Sequence, residues 1–300
     1  MKKLAIATVL AVASIASQAQ VTIYGQVNEF VDSTKTGSTT VKGLVSDSSR
    51  IGFKVSEQVS NGLTVRSTIE TSLIANDPTA GTTQLGNRQS TVGLESKFGS
   101  VDMGRAFHGT FKTIAGADPF DAFYGTIATD VHNARGLRMS NATFVNVAPI
   151  AGVSVSLDKG VGNGVDGTPN NATVSGAVSG VNLTASRYSN TALNATSNLV
   201  GATSNVQLLG ATVYVSHSRN VDNGVAVTGD MIGIAKPLSG TAITVKSSIG
   251  RTSNGIHAYN VGAQYALSKR TSVEATYRNV NASGTANDVT QLGFGLRHAF

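Results

Sequence analysis

The sequence predicts an all-β fold, a transmembrane antiparallel β-barrel of about sixteen strands closed on itself. Three observations carry this. Beyond its first residues the chain alternates apolar with small or polar residues in short segments, broken by Gly, Asn, Asp and Ser clusters; that is strand periodicity, and helical periodicity is scarce. The polar face of the segments is rich in Gly, Ser, Thr, Arg and Glu while the apolar face is modest, so no packed core of bulky side chains is available, and lipid must serve as the apolar partner. No later apolar run reaches the roughly 20 residues that a spanning helix needs.

The elements follow in order. Met1, Lys2 and Lys3 precede an apolar run from Leu4 to Ile15, and Ser17, Gln18 and Ala19 form a small-x-small cleavage site. This is the pattern of a secretory signal peptide over 1–19, leaving 20–300 as one barrel domain in the outer membrane, reached through the periplasm. Loss of two lysines lowers the formal charge from +6 to about +4. The charges are spread along the chain, which is not the clustered basic face of a nucleic-acid binder. The chain has no cysteine, so its fold does not rest on disulfides even in an oxidising compartment.

Among the strands, Ile51, Phe53 and Val55 oppose Arg50, Gly52 and Lys54, and Leu63, Val65 and Ile69 oppose Thr64, Arg66, Thr68 and Glu70. Later, Tyr259, Val261, Ala263 and Tyr265 oppose Asn260, Gly262 and Gln264, and Val273, Ala275 and Tyr277 oppose Glu274, Thr276 and Arg278. The last segment places Leu292, Phe294, Leu296, His298 and Phe300 on one face and Gln291, Gly293, Gly295 and Arg297 on the other. A charge at mid-bilayer on the lipid face costs about 2 to 4 kcal/mol, so the side carrying Arg66, Arg278 and Arg297 is the lumen. Glu70 and Glu95 read as lumenal charges.

Tight connections fall at 60–62, 98–100, 149–152, 179–180, 207–210, 238–240 and 268–270. Longer ones fall near 33–47, 75–87, 108–135, 160–170, 189–195, 220–227, 252–257 and 281–288. Together they join sixteen strands, although the Gly-, Asn-, Thr- and Ser-rich stretch 170–210 leaves roughly fourteen to eighteen compatible. Strict alternation puts Arg88 on the face of Val92 and Leu94, and Arg105 on that of Val101 and Met103. Either an inserted loop dries that wall with Ile114, Phe120 and Phe123, or a bulge resets the register.

Several segments, in order, resemble the general porins of β-proteobacteria, in the trimeric Gram-negative outer-membrane porin family. They are Val21-Thr22-Ile23-Tyr24-Gly25, Ser49 to Lys54, Asn61-Gly62-Leu63, Asn87-Arg88-Gln89, Val92-Gly93-Leu94, Phe98-Gly99, Gly104-Arg105, Tyr265 to Thr271, and the closing Gly295-Leu296-Arg297-His298-Ala299-Phe300. The resemblance implies a third long loop, here His108 to Arg135, folded into the lumen. It implies a pore constriction at Arg50, Arg88 and Arg138, with Arg66 and Arg105 as neighbours and Asp118 and Asp121 facing them. Phe300 would be the signal read by the outer-membrane assembly machinery. The chain lacks the family's acidic Pro-Glu-Phe-Gly stretch in this loop, and Ala117-Asp118-Pro119-Phe120 stands in for it, which leaves the loop's path open.

The expected function is a water-filled channel for passive diffusion of small hydrophilic solutes. It would prefer anions, because a guanidinium stays charged at any relevant pH and rings of such groups favour anions. A substrate-specific outer-membrane channel is the alternative; a secreted adhesin-like β protein and a barrel enzyme are remoter ones. Expected partners are two further copies of the chain, outer-membrane lipid including lipopolysaccharide, the assembly machinery, and small anionic or polar solutes, with no nucleic acid. No catalytic residues and no cofactor are expected: the histidines at 108, 132, 217, 257 and 298 lack metal-ligand spacing, and no nucleophile elbow or phosphate loop is present.

Overall fold

A computed structural model describes residues 19–73, 84–133, 136–162, 168–206, 209–282 and 288–300. The expected signal segment lies outside them up to residue 18, as do parts of the connections near 75–87, 160–170 and 281–288 and the end of the third loop. The strands, in chain order, are β1 Gln20–Thr36, β2 Thr39–Ser46, β3 Arg50–Ser60, β4 Leu63–Ser72, β5 Gln89–Ser96, β6 Gly99–Phe107, β7 Arg138–Ile150, β8 Val153–Gly160 and β9 Asn170–Val178. They continue as β10 Val181–Asn190, β11 Ala195–Val206, β12 Ala211–Asp222, β13 Val225–Pro237, β14 Ile243–Thr252, β15 Ile256–Ala266, β16 Thr271–Ala282 and β17 Val289–Ala299. Two short helices, α1 Gly109–Gly116 and α2 Ala128–His132, lie between β6 and β7.

All the strands join one antiparallel sheet, and β17 pairs with β1 to close it, Gln26 opposite Ala299. β2 and β3 are two halves of one barrel strand. Both pair with β1, Glu29 opposite Ser46 and Gln26 opposite Arg50, which leaves one extra residue in the interval. Ser48 there has φ 56°, so the interruption is a bulge rather than a corner, and the barrel has sixteen strands.

The connections are shorter than the sequence suggests. The loop expected over 33–47 is a hairpin, because Thr36 pairs with Thr39; its Thr and Val residues are good strand formers on a half-exposed ribbon. The one expected over 220–227 closes in two residues, Asn223 and Gly224, at φ 48° and 83°, the left-handed pair that a type I′ turn requires.

The barrel is inside out. Val31, Met103, Val215, Ile232, Ile249, Tyr259, Leu292 and Phe294 are all exposed on its outer surface. Their strand neighbours point inward: Ser216, Ser218, Asn220, Ser248 and Asn260 are buried polar residues. The main apolar cluster forms where the inner wall meets the segment between β6 and β7: Ile114, Ile127, Ala128 and Val131 pack on Leu199, Met231, Ala258 and Val280. No helix among the described residues is long and apolar enough to cross a membrane.

Candidate functional site

The segment after β6 enters the lumen through α1. The helix starts because His108 caps it, its Nδ1 accepting from the Phe111 amide at 3.3 Å. The next free amides are taken by the wall: Gly109 N–H donates to Asp158 Oδ2 at 2.8 Å and Thr110 N–H to Asn171 Oδ1 at 3.0 Å. From there the chain crosses to β1, where the Tyr124 ring stacks on Phe30 with centroids 3.8 Å apart and its hydroxyl donates to Asp32. It returns along β15, β16 and β12. Asn260 Nδ2 donates to the Gly125 carbonyl at 2.8 Å, Arg278 grips both oxygens of Asp130 at 2.6 Å, and Asn220 Nδ2 donates to the His132 carbonyl at 2.6 Å.

Close approach to the wall depends on missing side chains. A Cβ at Gly233 would lie 2.7 Å from Pro119 Cδ, one at Gly262 2.9 Å from Phe120, and one at Gly201 2.8 Å from Ala117. The inward glycines of β11, β13 and β15 thus form a bed for the loop.

Opposite this bed, the loop and the wall from β3 to β7 enclose a cavity of about 700 Å³. Five cationic side chains, Arg50, Lys54, Arg88, Lys112 and Arg138, line it against two carboxylates, Glu70 and Asp121. Glu70 is pinned among the cations: Arg88 Nε is 2.6 Å from Oε1, Arg50 Nε is 3.5 Å from Oε2, and the Tyr24 hydroxyl donates to Oε2 at 3.0 Å. The Arg138 guanidinium lies 3.9 Å from the Phe107 ring centroid, a cation–π contact, and its buried Nε has no hydrogen-bond partner among the described residues. Phe123, at the loop tip, lies between Arg50 at 5.9 Å and Arg297 at 5.2 Å.

Of the residues singled out from sequence, Arg50, Arg88, Arg138 and Asp121 therefore share one cavity. The others do not. Arg66 is neutralised on its own strands: it donates to Glu95 at 2.8 Å, to Asp102 from Nε at 2.8 Å and to Ser100 at 2.7 Å. It reaches Asp102 across β5 because the intervening residue is Gly93. Arg105 braces the wall, with Nε at 2.8 Å from the Asn87 carbonyl and a second nitrogen on the Ser140 hydroxyl. Asp118 is fully buried within the loop, accepting from Thr126 Oγ1 at 2.6 Å and the Ala122 amide at 2.9 Å. It shapes the turn after α1; burial pushes its carboxyl above the usual carboxylate range.

The two arginines that alternation misplaced have different explanations. Arg88 precedes β5 and turns inward with its amide on the Glu70 carbonyl at 3.1 Å, so strand alternation does not apply to it. At Arg105 the register between β6 and β7 slips between Gly104 and Ala106, opposite Asn141 at φ 48°, which is the bulge alternative. The dry wall under Ile114 and Phe120 exists, but on β11 to β15 rather than behind the arginines.

Sequence reasoning put Lys54 and Arg297 on the lumenal face without singling them out for the constriction, and it passed over Lys112 and Lys246. Lys54 was available, sharing the inward register of Arg50 and Gly52. Lys112 was not, because only the placement of α1 aims it at the lumen. Lys246 lies 5.8 Å from the Phe120 ring. At the seam, Phe300 N–H donates to the Gly25 carbonyl at 3.0 Å and the Phe300 carbonyl accepts from the Gly25 amide at 3.1 Å.

The family model described as Gram-negative porin matches residues 5–300. The major outer membrane protein P.IB of Neisseria meningitidis serogroup B is 34% identical over 131 residues, 41% of this chain and 38% of that protein, so the match spans under two fifths of this relative. In three dimensions the chain is similar to an anion-selective porin from Comamonas acidovorans, with a TM-score of 0.79, 20% identity, and 94% of this chain and 100% of that one covered. It is also similar to the trimer form of OmpT from Vibrio cholerae, with a TM-score of 0.68, 16% identity, and 94% and 99% covered.

Proposed function

The chain belongs to the Gram-negative porin family, and from that premise we propose that it forms an anion-preferring channel for passive diffusion of small hydrophilic solutes across the outer membrane. The observation that carries the reading is the cavity between loop and wall, where Arg50, Lys54, Arg88, Lys112 and Arg138 outnumber Glu70 and Asp121. A net cationic narrowing attracts anions, and several weak sites in place of one deep one let them leave again. Glu70 pairs with two of the arginines and leaves Lys54, Lys112 and Arg138 uncancelled by it. The export signal over Met1–Ala19 and the reading of Phe300 by the assembly machinery belong to the same proposal, as does assembly into trimers, supported by the trimer form of the similar OmpT.

Reversal potential in a planar bilayer under a tenfold KCl gradient tests this. A potential favouring chloride, from a detergent complex sedimenting at the mass of three copies, is the expected result. Channels favouring potassium would refute the anion preference; folded protein without conductance would refute the channel.

A further inference from the structure

Helix α1 divides the lumen beneath the loop into two cavities. Phe111, Lys112 and Ala115 face the cationic one described above, whereas Gly109, Lys112, Thr113 and Gly116 face a second, of about 410 Å³, against β7 to β11. Each set recurs at helical spacing and so forms one side of the helix, and Lys112 stands on the edge the two sides share. A third cavity, along β3 to β7, contains Lys54 and Gln89 of the cationic cavity, Asn146 of the second, and again Lys112. One ammonium therefore serves all three spaces.

The second cavity differs in chemistry from the first. Its wall presents Ser154, Ser156, Ser175, Asn182, Thr184 and Thr203, and among the described residues no carboxylate and no aromatic ring lines it. Strand alternation places these groups: Ser154 and Ser156 share the inward register of buried Asp158, and Asn182 and Thr184 that of buried Ser186. The helix side is nearly bare. Thr113 turns its hydroxyl back on the Gly109 carbonyl at 3.0 Å, and a Cβ at Gly116 would meet nothing within 4 Å. Asp158, behind Lys112, is committed to the Gly109 amide at 2.8 Å. The bay lies toward the tight turns at Ala151-Gly152 and Ser179-Gly180, the periplasmic end of such barrels, so a solute from outside reaches it after the cationic narrowing.

An ammonium at the edge of a bay of hydroxyls and amides matches a solute with one anionic group and a polyhydroxylated body. We propose that this bay binds anionic sugars, the phosphate or carboxylate at Lys112 and the sugar hydroxyls on Ser154, Ser156, Ser175, Asn182 and Thr184. A serine or threonine hydroxyl donates, accepts and rotates to either role, as a ring of sugar hydroxyls requires. An ammonium acts as a point charge toward either kind of anion. The volume falls within the roughly 300 to 1,000 Å³ of small-molecule sites. Contacts of this kind are individually weak, so the solute is both held and released. Approach of the solute rests on the channel reading above; its binding does not.

Equilibrium dialysis of radiolabelled glucose 6-phosphate against the detergent-purified barrel tests this without requiring conduction. The parent should bind the label, and glucose or inorganic phosphate should each need at least tenfold more than unlabelled glucose 6-phosphate to displace half of it. Lys112→Gln should weaken binding at least fivefold. Ser154→Ala/Ser175→Ala, which removes two hydroxyls directly opposite each other on β8 and β9, should weaken it at least threefold. Both variants should keep the parent's far-ultraviolet circular dichroism. Displacement by inorganic phosphate as effective as by the sugar phosphate would reduce the bay to a soluble-anion site, and equally effective displacement by glucose would reduce it to a neutral polyol site. Either result overturns the proposal, as does full-strength binding by either variant or no binding by the parent. A parent that binds the sugar phosphate in this way while its reversal potential favours potassium would refute the anion preference alone.

Discussion

At the scale of single residues, the cavity works by imbalance. Glu70 touches Arg50, Arg88 and Tyr24, and Arg138 is held by an aromatic ring with its Nε unpaired. Opposite changes should therefore move selectivity in opposite directions. Glu70→Gln removes a negative charge and should raise the chloride-to-potassium permeability ratio; Arg138→Ser should lower it. A unit charge a few ångströms from the ion path is worth about 1 kcal/mol in a water-like medium, so each change is up to about fivefold. Reversal potentials of both variants check this, and a shift of the same sign in both would show that local rearrangement, not charge, governs the ratio.

At the scale of elements, the loop is a separate object laid on a prepared wall. Its last helix is anchored by His132, which is fully buried with Nδ1 at 2.9 Å from Ser218 Oγ and Nε2 at 2.8 Å from Ser216 Oγ. Burial, and secondarily the nearby His217, push its pKa down from 6.5 to about 4. The docked loop therefore binds fewer protons than an undocked one between those values, so docking is unaffected above pH 6.5, weakens as pH falls through that window, and levels off below it. The cost is at most about 1.4 kcal/mol per pH unit. Thermal midpoints at pH 7 and pH 4 should fall less for His132→Gln than for the parent; an identical fall would assign the acid sensitivity elsewhere. The element scale is also where sequence and structure part. Alternation alone identifies the lumenal faces of Arg50, Arg66 and Arg278, since a period of two is local. It misplaces Arg88 and Arg105, because the residue just before a strand and a bulge are set by neighbouring strands. Asp118 and Asp121 look alike in sequence, yet one is sealed in the loop and the other lines the cavity, a difference that exists only once the loop has docked on Gly201, Gly233 and Gly262.

At the scale of the whole molecule, a ring of strands has no edge only if the first and last meet. They meet at Gly25 and Phe300, whose two backbone hydrogen bonds continue the pairing of β1 with β17. Deleting Phe300 removes both bonds and the aromatic ring over Gly25, and should lower the yield of folded barrel in outer-membrane fractions while leaving the conductance of the channels that form unchanged. Normal yield on quantitative blotting would deny the terminal residue any part in assembly. The same seam also sets a timetable. The strand that β1 needs as its partner is β17, made after every other strand of the sheet, so until β17 is in place the chain carries two unmatched ribbons with sticky hydrogen-bonding flanks. Such a chain cannot mature piece by piece as it emerges; it has to be kept apart from its copies until β17 arrives, and any product truncated before β17 remains permanently open.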